Sequence, residues 1–234
     1  MDWQAFALSA RLAAIVSLIL LAIAIPLAYW LSVTRFRGRF VIEAIVSLPL
    51  ILPPTVLGFY LLTTLGTQSP IGRWWTSLTG HGLVFTFEGL VIASLFYSLP
   101  FAVQPIAASF AQLDPSLREA SAVLGASPAR TFLRVTLPLS VEGLLSALVL
   151  TFAHTIGEFG VVLMVGGNIP GVTRTVSIAI YDAVQALDYD RAHATSLALL
   201  VLSFGLLAAV YGIRRRPWAV TGAIGERTVS GPLR

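Results

Sequence analysis

Residues Leu12–Thr34 read LAAIVSLILLAIAIPLAYWLSVT and carry no formal charge over 23 positions. A helix needs about 20 apolar residues to cross the ~30 Å hydrocarbon core of a bilayer, so this stretch is long enough to span a membrane. Three more charge-free runs reach the same length: Ala44–Gly72, Gly89–Leu113 and Ala192–Ile213. Several such runs in one chain predict a polytopic membrane protein.

A fifth apolar stretch, Gly143–Val165, contains a single charged residue, Glu158. The five stretches predict an all-α fold with about five transmembrane helices, at residues 12–34, 44–66, 84–111, 142–165 and 192–213. We assign residues 1–216 to one transmembrane domain. Residues 217–234 are assigned to a cytoplasmic tail, for which disorder is one alternative.

The composition excludes several classes of protein. Hydrophobic residues make up 56% of the 234 positions and charged residues 11%, against about 25% charged in soluble domains. So few charges do not suit a soluble surface, and the high hydrophobicity excludes intrinsic disorder. Because the chain contains no Cys, a disulfide scaffold and a thiolate metal site are excluded as well.

The positive charges follow the predicted topology. All fifteen basic residues are Arg, and they divide eleven to four between the two sides of the predicted spans. The eleven are Arg35, Arg37, Arg39, Arg118, Arg130, Arg134, Arg214, Arg215, Arg216, Arg227 and Arg234. The four are Arg11, Arg73, Arg174 and Arg191. Since the Arg-rich side faces the cytoplasm, we predict a cytoplasmic C-terminus and an external N-terminus. This accounts for the basic charge without a nucleic-acid partner.

Residues 113–140 form the longest basic loop on the predicted cytoplasmic side, and we call this segment the elbow. Its first half has the signals of a short helix, because Asp114 or Ser116 can act as an N-cap. Gly125 supplies a residue that can adopt the left-handed conformation at the end of that helix. The first arm of the elbow is therefore predicted between these residues.

A second short helix is predicted to begin at Ser127, with Pro128 in its first turn, and to end at Pro138. The first arm also carries an apolar stripe, formed by Leu117, Ala120, Val123 and Leu124. This stripe suits either a hairpin lying in the lipid headgroups or a helix that docks into a groove of a cytoplasmic partner. By pattern alone the two interpretations are equally supported.

The order of residues in the elbow resembles the loop signature of ABC importer permeases. Glu119-Ala120-Ser121 is followed after three residues by Gly125 and, after nine more, by Val135-Thr136-Leu137-Pro138. Ser121 and Val135 depart conservatively from that pattern. The resemblance implies a coupling helix that docks on a separate ATP-binding subunit, and the implied coupling residues are Arg118, Glu119, Ala120, Ser121, Gly125, Val135, Leu137 and Pro138.

The chain itself has no phosphate-binding loop of the G-x-x-x-x-G-K-[ST] type, which its lack of Lys forbids. We therefore expect a transport subunit that is not an enzyme and binds no cofactor of its own. ATP and Mg would be used by the partner subunit.

Two further stretches are similar to the molybdate importer permeases: Leu48–Tyr60, and the Ile156–Gly160 segment followed by Asn168–Thr175. This resemblance implies a homodimer in the bacterial inner membrane, two cytoplasmic ATP-binding subunits and an extracytoplasmic oxyanion-binding protein. Tungstate, sulfate or another oxyanion remains an alternative cargo. The same resemblance implies that Val176–Leu187, predicted as a shallow outer helix, meets the binding protein, although a solvated connector is equally supported.

Two interruptions of the apolar runs are candidates for the transport pathway. Pro53 and Pro54 remove backbone donors, which predicts a kink or unwinding that lets Thr55 and free carbonyls line a cavity, unless the kink serves packing alone. The second interruption lies around Glu158, an ionisable group inside a predicted span. The pathway or gating residues predicted here are Pro53, Pro54, Thr55, His154, Gly157, Glu158, Phe159 and Gly160.

A bare carboxylate would repel an oxyanion, so we expect Glu158 to have a structural or gating role. Its partner would be His154 one turn earlier, a backbone donor or a neighbouring subunit. A distant alternative is an intramembrane metalloenzyme that uses His154, Glu158 and His193. The three His residues of the chain and the absence of an H-E-x-x-H motif leave too few ligands for it.

Overall fold

The computed structural model describes residues 2–34 and 36–213, and every regular element assigned within those ranges is helical. The predicted tail 217–234 lies outside the described residues. The helices are α1 (Trp3–Val33), α2 (Arg39–Ile51), α3 (Pro54–Leu65), α4 (Pro70–Thr79), α5 (Phe87–Ala111), α6 (Pro115–Val123), α7 (Pro128–Thr131), a π-helical turn (Phe132–Thr136), α8 (Leu137–Leu139), α9 (Val141–Ile156), α10 (Gly160–Gly166), α11 (Val176–Gln185) and α12 (Tyr189–Ile213).

Helices α1 and α5 run parallel through the centre of the molecule. At one end the Arg11 guanidinium lies 4.4 Å from the centroid of the Phe87 ring. At the other end the rings of Tyr29 and Phe110 meet edge to face, with centroids 6.0 Å apart. We call the second end the elbow end, because the elbow follows directly after α5, and the first the opposite end.

Helix α9 packs antiparallel to α5. Its first turn lies so close to the end of α5 that a Cβ on Gly143 would fall 2.3 Å from Ser109 Cβ. Its last turn reaches the middle of α5, where the hydroxyls of Ser98 and Thr155 are 2.9 Å apart. The core between α1, α5 and α9 is apolar and fully buried, and it includes Leu12, Val16, Leu20, Leu90, Ile106 and Ala147.

Three helices are each long and apolar enough to cross a membrane: α1, α5 and α12. Among the described residues the count rises to five if each of two bent helix pairs is one span. The first pair is α2 with α3, bent by 111°. The predicted span 44–66 is therefore two helices joined at a bend, because Pro53 and Pro54 offer no N–H to continue the ladder. The predicted break at these prolines is confirmed.

The predicted span 142–165 is also not one helix. Helix α9 ends at Ile156, residues 157–159 are non-helical, and the seven-residue helix α10 follows. The second bent pair instead joins Pro128–Leu139 to α9 at 69°. The break at 157–159 places Glu158 outside any helix, which changes the geometry of the site described below.

At the opposite end, α11 covers most of the outer helix predicted at Val176–Leu187. Its first backbone N–H, that of Val176, donates to the buried Ser9 hydroxyl of α1 over 2.8 Å. Asp2, the N-cap of α1, lies 3.5 Å from Arg191 and 3.9 Å from Arg174. Two of the four Arg residues on the Arg-poor side of the predicted topology thus share the Asp2 carboxylate, and Arg174 also lies 3.3 Å from Asp182.

Candidate functional site

The first arm of the elbow is capped as the sequence predicts. The Asp114 carboxylate accepts a hydrogen bond from the Ser116 N–H over 2.9 Å, and Pro115 is the first residue of α6. Of the two predicted N-caps, Asp114 is therefore the one used. Gly125 ends the arm at a φ of 76°, which favours glycine over any residue with a side chain. The Ser121 hydroxyl then bonds that of Thr131 at 2.8 Å, which joins the two arms.

The second arm begins at Ser127, whose hydroxyl accepts from the Arg130 N–H. It continues through a π-helical turn at 132–136 and ends at Leu139, directly after Pro138 and before Ser140, as predicted. Phe132 fastens this arm to the bundle, with its ring centroid 4.6 Å from that of Tyr29. The elbow is therefore a fixed projection with one anchored arm.

The outer arm of the elbow is exposed. No residue of α6 is buried, and Val123 and Leu124 expose 87% and 86% of their surface. Glu119 is exposed too, and within residues 2–34 and 36–213 no basic group lies within 4.0 Å of it. Two large exposed apolar side chains at the tip of the elbow contribute little to the stability of this chain, so they suit a surface that contacts a partner subunit or lipid.

The cap of α6 can be tested on its own. The hydrogen bonds from Ser116 hold the pKa of Asp114 below its usual value of 3.8. The cap therefore stabilises α6 fully at pH values above 3.8, and this stabilisation is lost as the pH falls through the lower pKa of the folded elbow. We expect Asp114→Ala to speed hydrogen exchange of the α6 amides at neutral pH, whereas Asp114→Asn keeps the cap and the wild-type rate. Equal exchange in both variants would contradict this role.

The two helix breaks lie against each other. A Cβ on Gly160 would fall 2.7 Å from Pro54 Cβ, and one on Gly58 would fall 2.8 Å from Met164 Cβ. Helix α10 therefore crosses α3 at contact distance, directly after both breaks. The structure brings together Pro54 and Gly160 from the predicted pathway residues. Thr55, by contrast, is exposed on the surface of the single chain.

Glu158 is buried at 3% exposure, and neither of its carboxylate oxygens has a hydrogen-bond partner among the described residues. The Ser94 hydroxyl of α5 is close enough to interact with this carboxylate, and it too lacks a well-formed hydrogen bond among the described residues. A buried carboxylate without partners is costly in an apolar setting and calls for a functional explanation. The position fits the predicted gating role, which stays a prediction.

Of the three partners predicted for Glu158, His154 is not in contact with it. Helix α9 ends before Glu158, so the spacing of four residues does not place the two side chains on one helix face. His154 Nδ1 instead lies 3.0 Å from the Ser98 hydroxyl, and its ring stacks on Phe101 with centroids 3.9 Å apart. In the described part of the chain no three His, Asp or Glu residues cluster as a metal site would require, so the metalloenzyme alternative has no structural support.

The remaining predicted pathway residues lie around this break. Gly157 is exposed, and a Cβ there would meet only ordinary contacts at 3.7 Å or more. The Phe159 ring packs against Tyr181 of α11, with centroids 5.0 Å apart. A displacement of residues 157–159 would therefore be transmitted to α11 through this ring contact.

The arrangement described so far, an exposed elbow below a bundle of broken apolar helices, can be compared with known proteins. Residues 21–217 match the family model described as binding-protein-dependent transport system inner membrane component. The chain belongs to this family. It is thus a transport subunit and a multi-pass protein of the inner membrane.

Individual relatives of this inner membrane component were also found. The chain is 49% identical over 215 residues to the molybdenum transport system permease protein ModB of Azotobacter vinelandii, covering 92% of this chain and 95% of that protein. It is 34% identical over 211 residues to a probable sulfate transport system permease protein cysT of Nephroselmis olivacea, covering 90% and 74%.

Among solved structures, the chain resembles a bacterial alginate ABC transporter in complex with an alginate pentasaccharide-bound periplasmic protein. The TM-score is 0.73 at 19% sequence identity, over 91% of this chain and 78% of that one. At this identity the likeness shows the fold, that of type I ABC importer permeases.

Sequence reasoning about this transport component missed the polar side chains of α5. Ser94 and Ser98 lie one turn apart in an apolar helix, and they face Glu158 and His154 respectively. The spacing of four residues is a signal that could have been used, because it places both hydroxyls on one helix face. Polar groups on such a face inside a membrane point towards a neighbouring helix.

Proposed function

We propose that the chain is the permease subunit of an ATP-driven importer for molybdate. The observation that carries this proposal is the 49% identity to a molybdenum permease over nearly the whole chain, against 34% to a sulfate permease. The breaks at 52–53 and 157–159 supply non-helical backbone within the apolar bundle, which membrane proteins tolerate where it lines a cavity or is buried in protein.

In this proposal the elbow couples transport to ATP hydrolysis in a separate subunit. Its exposed apolar tip, Val123 and Leu124, would enter a groove on that subunit, and its anchored arm would pass the motion to the bundle through Phe132 and Tyr29. ATP and Mg are then used by the partner alone, and this chain holds no cofactor. Two copies of the chain, each with one ATP-binding subunit, would enclose the pathway, because five helices enclose it poorly.

The proposed orientation places the elbow in the cytoplasm and the opposite end outside. The division of the Arg residues supports this, and so does the pairing of Arg174 and Arg191 with Asp2. A binding protein loaded with an oxyanion would dock on the outer face near α11, and the N-terminus would lie on that side.

The cargo can be tested with the assembled importer in vesicles. Binding protein loaded with molybdate should stimulate ATP hydrolysis at least about fivefold over unloaded protein. For this, the ATP-hydrolysing state of the importer must bind the loaded protein more tightly than the unloaded protein by about 1 kcal/mol, which corresponds to about fivefold. Sulfate-loaded protein serves as the matched control and should stimulate weakly. Stimulation by sulfate without stimulation by molybdate would assign the chain to a different oxyanion.

A further inference from the structure

A cavity of about 420 Å³ lies at the elbow end, where α1, α2 and α5 meet the first turn of α6. Its volume is within the range of small-ligand pockets, roughly 300–1,000 Å³. The lining has a polar and an apolar part. The polar side chains are Ser32, Arg39, Glu43, Ser47, Gln104 and Arg118. An amphipathic lining of this kind suits a ligand with a charged head and an apolar continuation.

The position of the cavity is at the boundary of the apolar bundle. Helix α1 ends at Val33, α2 begins at Arg39 and α5 ends at Ala111, so all three change from apolar core to loop at this level. Beside the cavity, α2 exposes Phe40 and Ile45 at 68% and 61%. Large exposed apolar side chains beside the ends of the apolar helices suit contact with lipid, so we place the cavity at headgroup depth.

Arg118 is the strongest indication of an anionic ligand. Its side chain is half-buried in the wall, and nowhere in the described ranges does it have an acidic partner within 4.0 Å or a hydrogen bond. A half-buried guanidinium carries five donors and a permanent charge, so an acceptor is expected. None of the polar groups that share the cavity supplies one.

Arg39 adds a second set of donors. Its Nε donates to Glu43 Oε1 over 2.7 Å, and this pair lies on one face of α2. The terminal nitrogens of Arg39 stay available, and Gln104 donates to the Ser47 hydroxyl across the same cavity at 3.2 Å. The two Arg and one Glu leave a net charge of +1, which suits a phosphate diester.

We propose that this cavity binds the phosphate of an anionic phospholipid, with Arg118 and Arg39 as donors to its oxygens. The apolar wall, which includes Leu31, Val46 and Phe110, would contact the first carbons of the acyl chains. Basic pockets between helices at a membrane surface recognise such headgroups. Because Arg118 belongs to α6 and Arg39 to α2, the lipid joins the coupling arm to a helix that leads into the Pro53–Pro54 break. The proposal is independent of the cargo.

The experiment is native mass spectrometry of the full-length chain in mixed micelles of detergent with phosphatidylglycerol or phosphatidylcholine. Phosphatidylglycerol should be retained at least about tenfold more than phosphatidylcholine. Both lipids carry the phosphate diester, but the cationic choline of phosphatidylcholine is repelled by the net +1 of the two Arg and one Glu in the cavity. The double variant Arg39→Gln/Arg118→Gln should lose that preference. Arg73→Gln, an exposed Arg of α4, is the matched control and should keep it.

A second variant separates the cavity from its charges. Ala107→Phe fills the cavity while leaving both Arg residues in place, and it should also release the lipid. Each variant is checked by its thermal midpoint, and if Ala107→Phe does not fold, the double Arg variant decides. Equal retention of the two lipids, unchanged retention by the double variant, or displacement of phosphatidylglycerol by millimolar molybdate or inorganic phosphate would each overturn the proposal.

Discussion

A Glu119→Lys chain is expected to enter the membrane in normal amount and to lose molybdate uptake in the assembled importer. Glu119 is exposed on α6 and pairs with no basic group among the described residues, so its reversal leaves the fold of this chain intact. Reversing a charge at a docking hot spot costs about 2 kcal/mol or more, which is a loss of at least about thirtyfold. The measurement is uptake of labelled molybdate by vesicles that contain both subunits and the binding protein.

The matched control is Glu142→Lys, an equal reversal of charge at the first turn of α9, outside the elbow signature. It should keep most of the uptake, apart from about 0.3–1 kcal/mol of unfavourable interaction with the helix dipole. Gly125→Pro is a second route to the same loss, because Pro cannot adopt the φ of 76°. Normal uptake by both Glu119→Lys and Gly125→Pro would remove the docking role from the elbow.

Gly160→Ala should destabilise the transporter by about 1–3 kcal/mol and reduce uptake, although only one methyl group is added. The new Cβ would lie 2.7 Å from Pro54 Cβ, a distance that forces the two helix breaks apart. Gly157→Ala makes the same chemical change three residues earlier, where the nearest atom would be 3.7 Å away, and its thermal midpoint should stay near that of the wild type.

Thermal unfolding of the two variants in the same detergent measures this difference directly. If Gly157→Ala and Gly160→Ala unfolded at the same temperature, contact between the breaks would not be a stability determinant. If Gly160→Ala were stable but inactive, the contact would matter for motion rather than for folding. Either result tells which part of the prediction fails.

The positions of the apolar segments and the boundaries of the elbow were accessible from sequence, because both depend on local signals. Charge-free runs decide the first, and the side chain of Asp114 and the φ preference of Gly125 decide the second. These signals act within one or two helical turns. They can therefore be recognised in the sequence without knowing which helices pack against each other.

The end of α9 at Ile156 could not be predicted in the same way. Transmembrane helices tolerate glycine, so Gly157 within an apolar run gives no clear stop. What accompanies the break is the approach of Gly160 to Pro54, over one hundred positions earlier in the chain. A spacing of four residues places two side chains on one face only within a continuous helix. Because α9 ends at Ile156, this spacing does not bring His154 next to Glu158.

The bond between Ser9 and Val176 joins residues 167 positions apart, and it has a consequence for biosynthesis. Helix α1 is translated first, yet its N-terminal part has no partner for the buried Ser9 hydroxyl until α11 has been translated. The carboxylate of Asp2 likewise waits for Arg174 and Arg191. The opposite end of the molecule is therefore completed only after nearly the whole chain has left the ribosome, while the pairing of α1 with α5 can begin earlier.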